Sequence, residues 1–350
     1  MDLRQTELFQ ITQEAGFEPR VLSDYTGGLL VTRRGARVLG IFLGGVPQNG
    51  APQNLLWANP KTVGTKAAAA DTVARGEWNT GGDRVWVAPE IELHFTNPNK
   101  PSHAEYAVPP DLDPGKYVIE RESPRAISFG ASGAAPNLVS MRQFKFTAHR
   151  EIRLCAPPLE LGGLNYVGYE LSSDLHVVAP DRPDACYGLW QLMMVPAGGT
   201  IFIPTRGTAE QVDYFQTNVA AHCRTAADHV AFPVTGTTQQ KLGLRPDQVR
   251  GVMGYYRVIG EVATLIVRQV AVFAGAAYAD YPAHARQRRD VALQFYNDTS
   301  AGFGEMEYHS TAAIAENLFS VRDVSRTWCF AGQPARVRGV AATLLGINGV

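Results

Sequence analysis

Cysteine is scarce and poorly placed for staples or metals: Cys155, Cys186, Cys223 and Cys329 are dispersed, with no CxxC pair. That spacing excludes the common zinc ribbons and offers no disulfide framework, so free thiols in a reducing compartment are expected. Long apolar runs are missing too, and no stretch has the uninterrupted apolar length needed to span a bilayer. Residues 1–16 lack the apolar core and small-residue cleavage site of a signal peptide, and a cytoplasmic location is expected. Neither sign of charge dominates: 32 Lys+Arg against 33 Asp+Glu give a net charge of -1. Without a sustained basic stripe, neither nucleic acid nor an anionic membrane is expected as a partner. The chain also lacks GxxxxGKS/T, GxGxxG between strand and helix, GxSxG and HExxH. P-loop, dinucleotide, nucleophile-elbow and zincin chemistries are thereby excluded, and no cofactor is expected.

What the chain does hold is turn residues and alternation. Its 34 glycines and 22 prolines are scattered through 350 residues, which suits many turns and few long helices. Period-two patterning recurs at 29–32, 37–43, 84–95 (broken at Pro89), 117–120, 126–129 and 138–154, where Phe144, Phe146 and Ala148 alternate with Lys145, Thr147 and His149. It resumes at 200–204, 251–258, 262–273, 291–296 and 326–330. Helical patterning is confined to about 5–16, 66–74, 209–215 and the last ten or so residues. Strands without βαβ alternation predict an all-β protein, a large antiparallel sandwich forming one domain over residues 1–350. Residues 331–350 are read as a C-terminal extension, and the Pro/Asn-rich stretch 97–114 as a long loop of the kind that often carries function.

Two clusters stand out as chemistry. In Gly304-Glu305-Met306-Glu307-Tyr308-His309, an extended backbone places Glu305, Glu307 and His309 on one face and Met306 and Tyr308 on the other. Such a face can hold a general base beside a general acid, or be a solvated polar edge. His309 titrates near neutrality and so suits an acid or a hydroxyl donor. Far upstream lies Gly81-Gly82-Asp83-Arg84-Val85-Trp86-Val87-Ala88-Pro89-Glu90. Arg84 supplies a planar fork of donors for vicinal hydroxyls or a carboxylate. Asp83 is read as a further ligand contact or as the ion-pair partner of Arg84. Trp86, two residues on, is either a stacking platform or a core tryptophan, while Trp190 and Trp328 are read as core. Glu90 sits where Pro89 interrupts the strand, a place from which polar residues often line a site. The pairs Glu92/His94 and His103/Glu105 have strand-like metal spacing, but neither has a further ligand at a diagnostic distance, so no metal site is expected.

Several motifs together resemble the galactose mutarotase-like (aldose 1-epimerase-like) superfamily. They are residues 35–40 (GARVLG), 54–60 (NLLWANP) and 81–86 (GGDRVW), followed by Leu189-Trp190-Gln191-Leu192, Lys241-Leu242-Gly243, Glu305-Met306-Glu307 and Trp328. The resemblance covers about residues 35–330 in short pieces. It is more like uncharacterised bacterial members with GGDRxWxAPE and ExE motifs than like true aldose 1-epimerases. It implies a β-supersandwich with a sugar-binding cleft across a concave sheet, and a carbohydrate or small sugar derivative as ligand. It also implies Glu307 as the late-strand glutamate that takes the anomeric proton, and Arg84 as the early arginine that reaches the sugar. The mutarotases keep their acid histidine in an Asn-His-x-Tyr-Phe/Trp-Asn-Leu segment, and the corresponding Gly168-Tyr-Glu-Leu-Ser-Ser-Asp-Leu-His176 lacks it. The acid role is then open between His176 and His309. An acid–base enzyme of epimerase or lyase type and a noncatalytic sugar-binding protein both remain as readings.

Overall fold

Among the described residues, two ten-stranded antiparallel sheets face each other across a shared apolar core. The computed structural model describes residues 4–24, 27–43, 54–314, 319–347 and 350. The first sheet runs, in spatial order, Pro19–Ser23, Gly27–Thr32, Arg37–Leu43, Asp83–Ala88, Cys186–Pro196, Phe303–His309, Leu293–Asn297, Gln240–Leu244 and Val212–Asp213, with Ala313–Ile314 pairing beside Cys186–Pro196. The second runs Arg224–Thr225, His229–Val234, Gly199–Pro204, Val252–Ile259, Val262–Gln269, Phe319–Gly332, Asn165–Ala179, Arg142–Leu154, Ala126–Asn137 and Val118–Ser123. The all-β antiparallel sandwich expected from alternation is therefore the observed fold.

Alternation decides which side chains meet between the sheets. From the first sheet, Val85, Val87, Leu189, Met193, Phe295, Met306 and Tyr308 point inward. Phe144, Phe146, Tyr169, Leu171, Leu175 and Val177 meet them from the second. Nearly every position of Cys186–Pro196 is buried, as its almost continuous apolar sequence requires, because its outer face is covered as well. The outer face of the second sheet is covered by the helix Pro334–Leu345, whose Val337, Val340, Ala341 and Leu345 pack on Leu265, Val267 and Phe330. Proline opens that helix, and Gly346 closes it at φ 63, a left-handed position that favours glycine.

Several boundaries differ from the pattern reading. Helices do form at Gln5–Glu14 and Lys66–Ala74. The segment 209–215 is not helical; it contributes the edge strand Val212–Asp213, paired to Leu242 and Gly243. The alternation over 84–95 ends at Ala88, and Glu90–His94 is one short helical stretch. Pro89 has no N–H to continue the ladder, and the Glu90 N–H donates to Asp280 Oδ1 (2.8 Å) instead of to a strand. The 138–154 strand begins only at Arg142, after a turn in which Met141 adopts φ 58. In the C-terminal extension the last strand runs to Gly332, and the helix expected near the end follows as Pro334–Leu345. Among the described residues no helix is long and apolar enough to cross a membrane.

Candidate functional site

The outer face of the first sheet carries the other half of the alternation, and there the two sequence clusters meet. Register places Arg84 opposite Leu192, and Leu192 opposite Glu307. The next row is Trp86, Trp190 and His309; the preceding one brings Met194, Glu305, Tyr296 and Lys241 side by side. Above these rows opens a cavity of about 1090 Å³. Its lining includes Arg84, Trp86, Glu90, Trp190, Lys241 and Glu305.

Arg84 is held from below by charge and from the side by rings. Its Nη2 donates to Glu305 Oε1 (2.9 Å), and the guanidinium lies 4.4 Å from the Trp86 ring centroid and 5.4 Å from that of Trp78. Its Nε and Nη1 are buried and have no partner in the protein. A buried donor without an acceptor is costly, about 1–3 kcal/mol, and Arg84 carries two such nitrogens beside the cavity that it lines.

A second charged knot lies beside it. Lys241 Nζ donates to Glu90 Oε2 (3.1 Å) and stands 3.3 Å from Glu307 Oε2, with the Trp190 ring centroid 4.6 Å away. Glu307 Oε2 also accepts from Trp190 Nε1 (2.8 Å), while its Oε1 has no partner. Burial pushes the Glu307 carboxyl up to about 8; Lys241 pulls it back, and Glu305 and Glu90 push it further up. Glu90 is also raised, by burial first, against the pull of Lys241. Burial works against the Lys241 charge, yet Glu307, Glu90 and Asp280 together hold its proton affinity above that of an ordinary lysine. Tyr106 donates to Glu90 Oε1 (3.1 Å), and burial keeps its phenol neutral.

Of the sequence candidates, Arg84, Trp86, Glu90, Glu305 and Glu307 are gathered here. Glu307 lies beneath Lys241 and is fully buried, so of these three glutamates Glu305 and Glu90 line the cavity. His309 shares their face but stacks under Trp190 (centroids 5.6 Å apart, 18° between planes). Burial lowers its pKa to about 4, making it a neutral imidazole whose two nitrogens lack partners.

Two candidates belong elsewhere. Asp83 points inward by the same alternation that points Arg84 outward, and pairs with Arg268 of the opposite sheet and with the Tyr169 hydroxyl (2.6 Å). It contacts neither Arg84 nor the cavity, so it is an inter-sheet tie. His176 alternates with the core residues Leu175 and Val177, which puts it on the outer face of the second sheet, its Nδ1 2.7 Å from Ser320 Oγ. It is therefore removed from the cavity and from Glu307. Trp190, read as core, is buried in an apolar cluster with Trp86 and Leu192, and it lies on the cavity side of its strand.

The metal-spaced pairs resolve similarly. Glu92 accepts from Asn137, Arg182 and Tyr281, and His94 stacks on Trp86 (4.7 Å), its pKa lowered by burial to about 3. The His103 side chain lies outside the described residues. Among the described residues no group of three His, Cys, Asp or Glu is placed to hold a metal ion.

Sequence reasoning missed Lys241 as a charge partner, together with Asp280, which holds the Glu90 N–H and accepts from Gln294 Nε2 (2.7 Å). The available signal for Lys241 was a lysine inside the short buried strand Gln240–Leu244. Nothing local marked Asp280, which arrives from a loop.

Residues 49–349 match DUF6786, a family of unknown function, and the chain belongs to that family. The sequence matches none of the curated proteins. Among solved structures it is similar to a galactose mutarotase-like protein from Lactobacillus casei ATCC 334, at 9% identity over 88% of this chain and 99% of that one (TM-score 0.47). It is similar also to the Slr1438 protein from Synechocystis sp. PCC 6803 (9% identity, 90% and 96% covered, TM-score 0.49). A third is galactose 1-epimerase from Lactobacillus acidophilus NCFM (10% identity, 90% and 94% covered, TM-score 0.43).

Proposed function

We propose that the cavity binds a carbohydrate or sugar derivative and that its glutamates perform acid–base chemistry on it, as an epimerase or lyase would. The observation that carries the reading is Arg84: two unpaired, buried N–H groups at a cavity wall, flanked by the faces of Trp86 and Trp78 and by Glu305. Donors, a carboxylate and flat apolar rings at one place suit a ring bearing vicinal hydroxyls. Glu307 is the base. Burial tunes its proton affinity toward neutral pH, and Oε1 is free to accept a substrate hydroxyl once the flexible Lys241 stem swings aside. Glu90, a cavity-lining carboxyl that burial also raises, then supplies the returning proton.

Noncatalytic sugar binding is the second reading. It is favoured by His309, a neutral ring packed under Trp190 where an acid was expected. One experiment separates the two. A thermal-shift screen against mono- and oligosaccharides identifies ligands, since a ligand at 100 times its Kd adds ~2.7 kcal/mol. Proton NMR of each hit with enzyme then follows anomeric exchange, epimerisation or elimination. Binding with chemistry supports the catalyst, binding without it the sugar-binding protein. No binding by any sugar refutes both.

A further inference from the structure

The cavity is walled by aromatic residues on both sides of the charged rows, not on one. On the Glu305 side, Phe303 stacks on Trp57 (centroids 4.4 Å apart), Tyr296 lies 6.0 Å from Phe303, and Phe215 lies 6.3 Å from Tyr296 at the rim. On the other side, Trp78 stands edge-on to Trp86 (5.0 Å) and 6.2 Å from Tyr106. Register fixes the order. Phe303 lies opposite Pro196, Glu305 opposite Met194, Arg84 and Glu307 share Leu192, and Trp86 lies opposite Trp190 and, through it, His309. The strand Phe303–His309 runs roughly 20 Å at ~3.4 Å per residue, well beyond one sugar ring. The cavity volume, about 1090 Å³, slightly exceeds the ~300–1,000 Å³ that holds drug-sized ligands, and a single hexose is far smaller than those.

Phe215 is the sharpest feature of the Glu305 side. It is a large apolar ring, 41% exposed, lining the cavity at its rim. It is also held in place. Asp213 accepts from the Phe215 N–H (3.2 Å) and the Val219 N–H (3.0 Å), and Gln216 and Asn218 take left-handed φ of 57° and 58°. Two non-glycine residues in that region, Gln216 above all, mark a turn of defined and strained backbone beside the ring.

From this arrangement, and resting on the carbohydrate reading above, we infer that the ligand is an extended glycan of several rings. One ring is held at Arg84 and Glu305, and further rings stack on the Phe215–Tyr296 wall and on the Trp78 wall. Sugar C–H faces are apolar and slightly positive, and they lie well on the negative face of an aromatic ring. Charged groups in the middle with rings on either side describe a cleft that grips a chain internally.

The test is isothermal titration of linear gluco-, manno-, xylo- and galacto-oligosaccharides, each from the single sugar to the pentamer. At least one series should gain about tenfold or more in affinity from monomer to trimer, the size of one aromatic contact. Phe215→Ala should remove about that factor from the longer members and leave the single sugar unchanged, and Trp78→Ala should also weaken the longer members. Urea midpoints of both variants establish that they are folded. If the single sugar binds as tightly as the pentamer and Phe215→Ala changes neither, the extended site is overturned while the carbohydrate reading stands. If no member of any series binds, both fall.

Discussion

Lys241 lies over Glu307, its Nζ 3.3 Å from Oε2, and with Glu90 at 3.1 Å it forms a buried carboxylate–ammonium–carboxylate bridge across the cavity floor. One cation is shared between two carboxyls that burial already disfavours as anions, so the group is balanced around a single positive charge.

Removing that charge should be costly, and more so at alkaline pH. In Lys241→Met, Glu307 and Glu90 lose the partner that lowers their proton affinity, so both rise further above the unfolded-state value. A carboxyl raised in the fold contributes stability that is present below its unfolded pKa and is lost as pH rises through the folded one. The variant should therefore lose more stability at pH 8 than at pH 5, approaching the ~3–5 kcal/mol typical of a broken buried pair. Urea unfolding at the two pH values measures this. An equal loss at both would mean that the lysine is not setting these carboxyls.

Glu307→Gln addresses the chemistry. The amide keeps the size and one acceptor but takes no proton, so any turnover should fall by ~10²- to 10⁴-fold while Kd changes little. Because the folded carboxyl sits near 8, the wild-type base limb should lie well above the ordinary carboxylate range. Full activity in the variant would move the base to Glu305 or Glu90.

The fold class and half of the site were legible because both follow from a period of two. Parity alone put Glu305, Glu307 and His309 on one face. The same rule, applied to Arg84, already separates it from Asp83, and applied to Leu175 and Val177 it turns His176 to the outside. What parity cannot supply is register between strands far apart in sequence. That Arg84 and Glu307 flank the same Leu192 depends on pairing over more than a hundred residues. Asp280 and Tyr106 come from loops, where no periodicity exists to read. His309 illustrates a further limit: its face was right, but the ring of Trp190 from the neighbouring strand covers it.

The inter-sheet tie gives a prediction independent of function. Asp83 and Arg268 are both fully buried, and Arg268 also donates to Thr327 Oγ1 (3.1 Å). Asp83→Asn leaves the guanidinium buried without its counter-ion and should cost ~3–5 kcal/mol, whereas the paired change Asp83→Leu with Arg268→Met should recover most of it. Denaturant midpoints of the three proteins decide the matter. A stable Asp83→Asn protein that has lost sugar binding would return Asp83 to the ligand site.

His309 should reveal itself on the acid side. Its folded pKa, about 4, lies below the ordinary 6.5 because burial disfavours the imidazolium. A histidine depressed in the fold contributes stability that is present above its unfolded pKa and is lost as pH falls toward the folded one. Stability attributable to it should therefore drain away between about pH 6.5 and 4, partly offset by the raised Glu307, whose contribution grows over the same descent. Since neither ring nitrogen has a partner and the ring stacks on Trp190, His309→Phe removes an unsatisfied polar group and keeps the stack. The variant should be within ~1 kcal/mol of wild type, or more stable, at pH 7.5. At pH 4.5 it should exceed wild type by ~2 kcal/mol. Urea unfolding at the two pH values reads both quantities. A large loss at pH 7.5 would show that the imidazole makes a polar contact the fold depends on, a bound water being the first place to look.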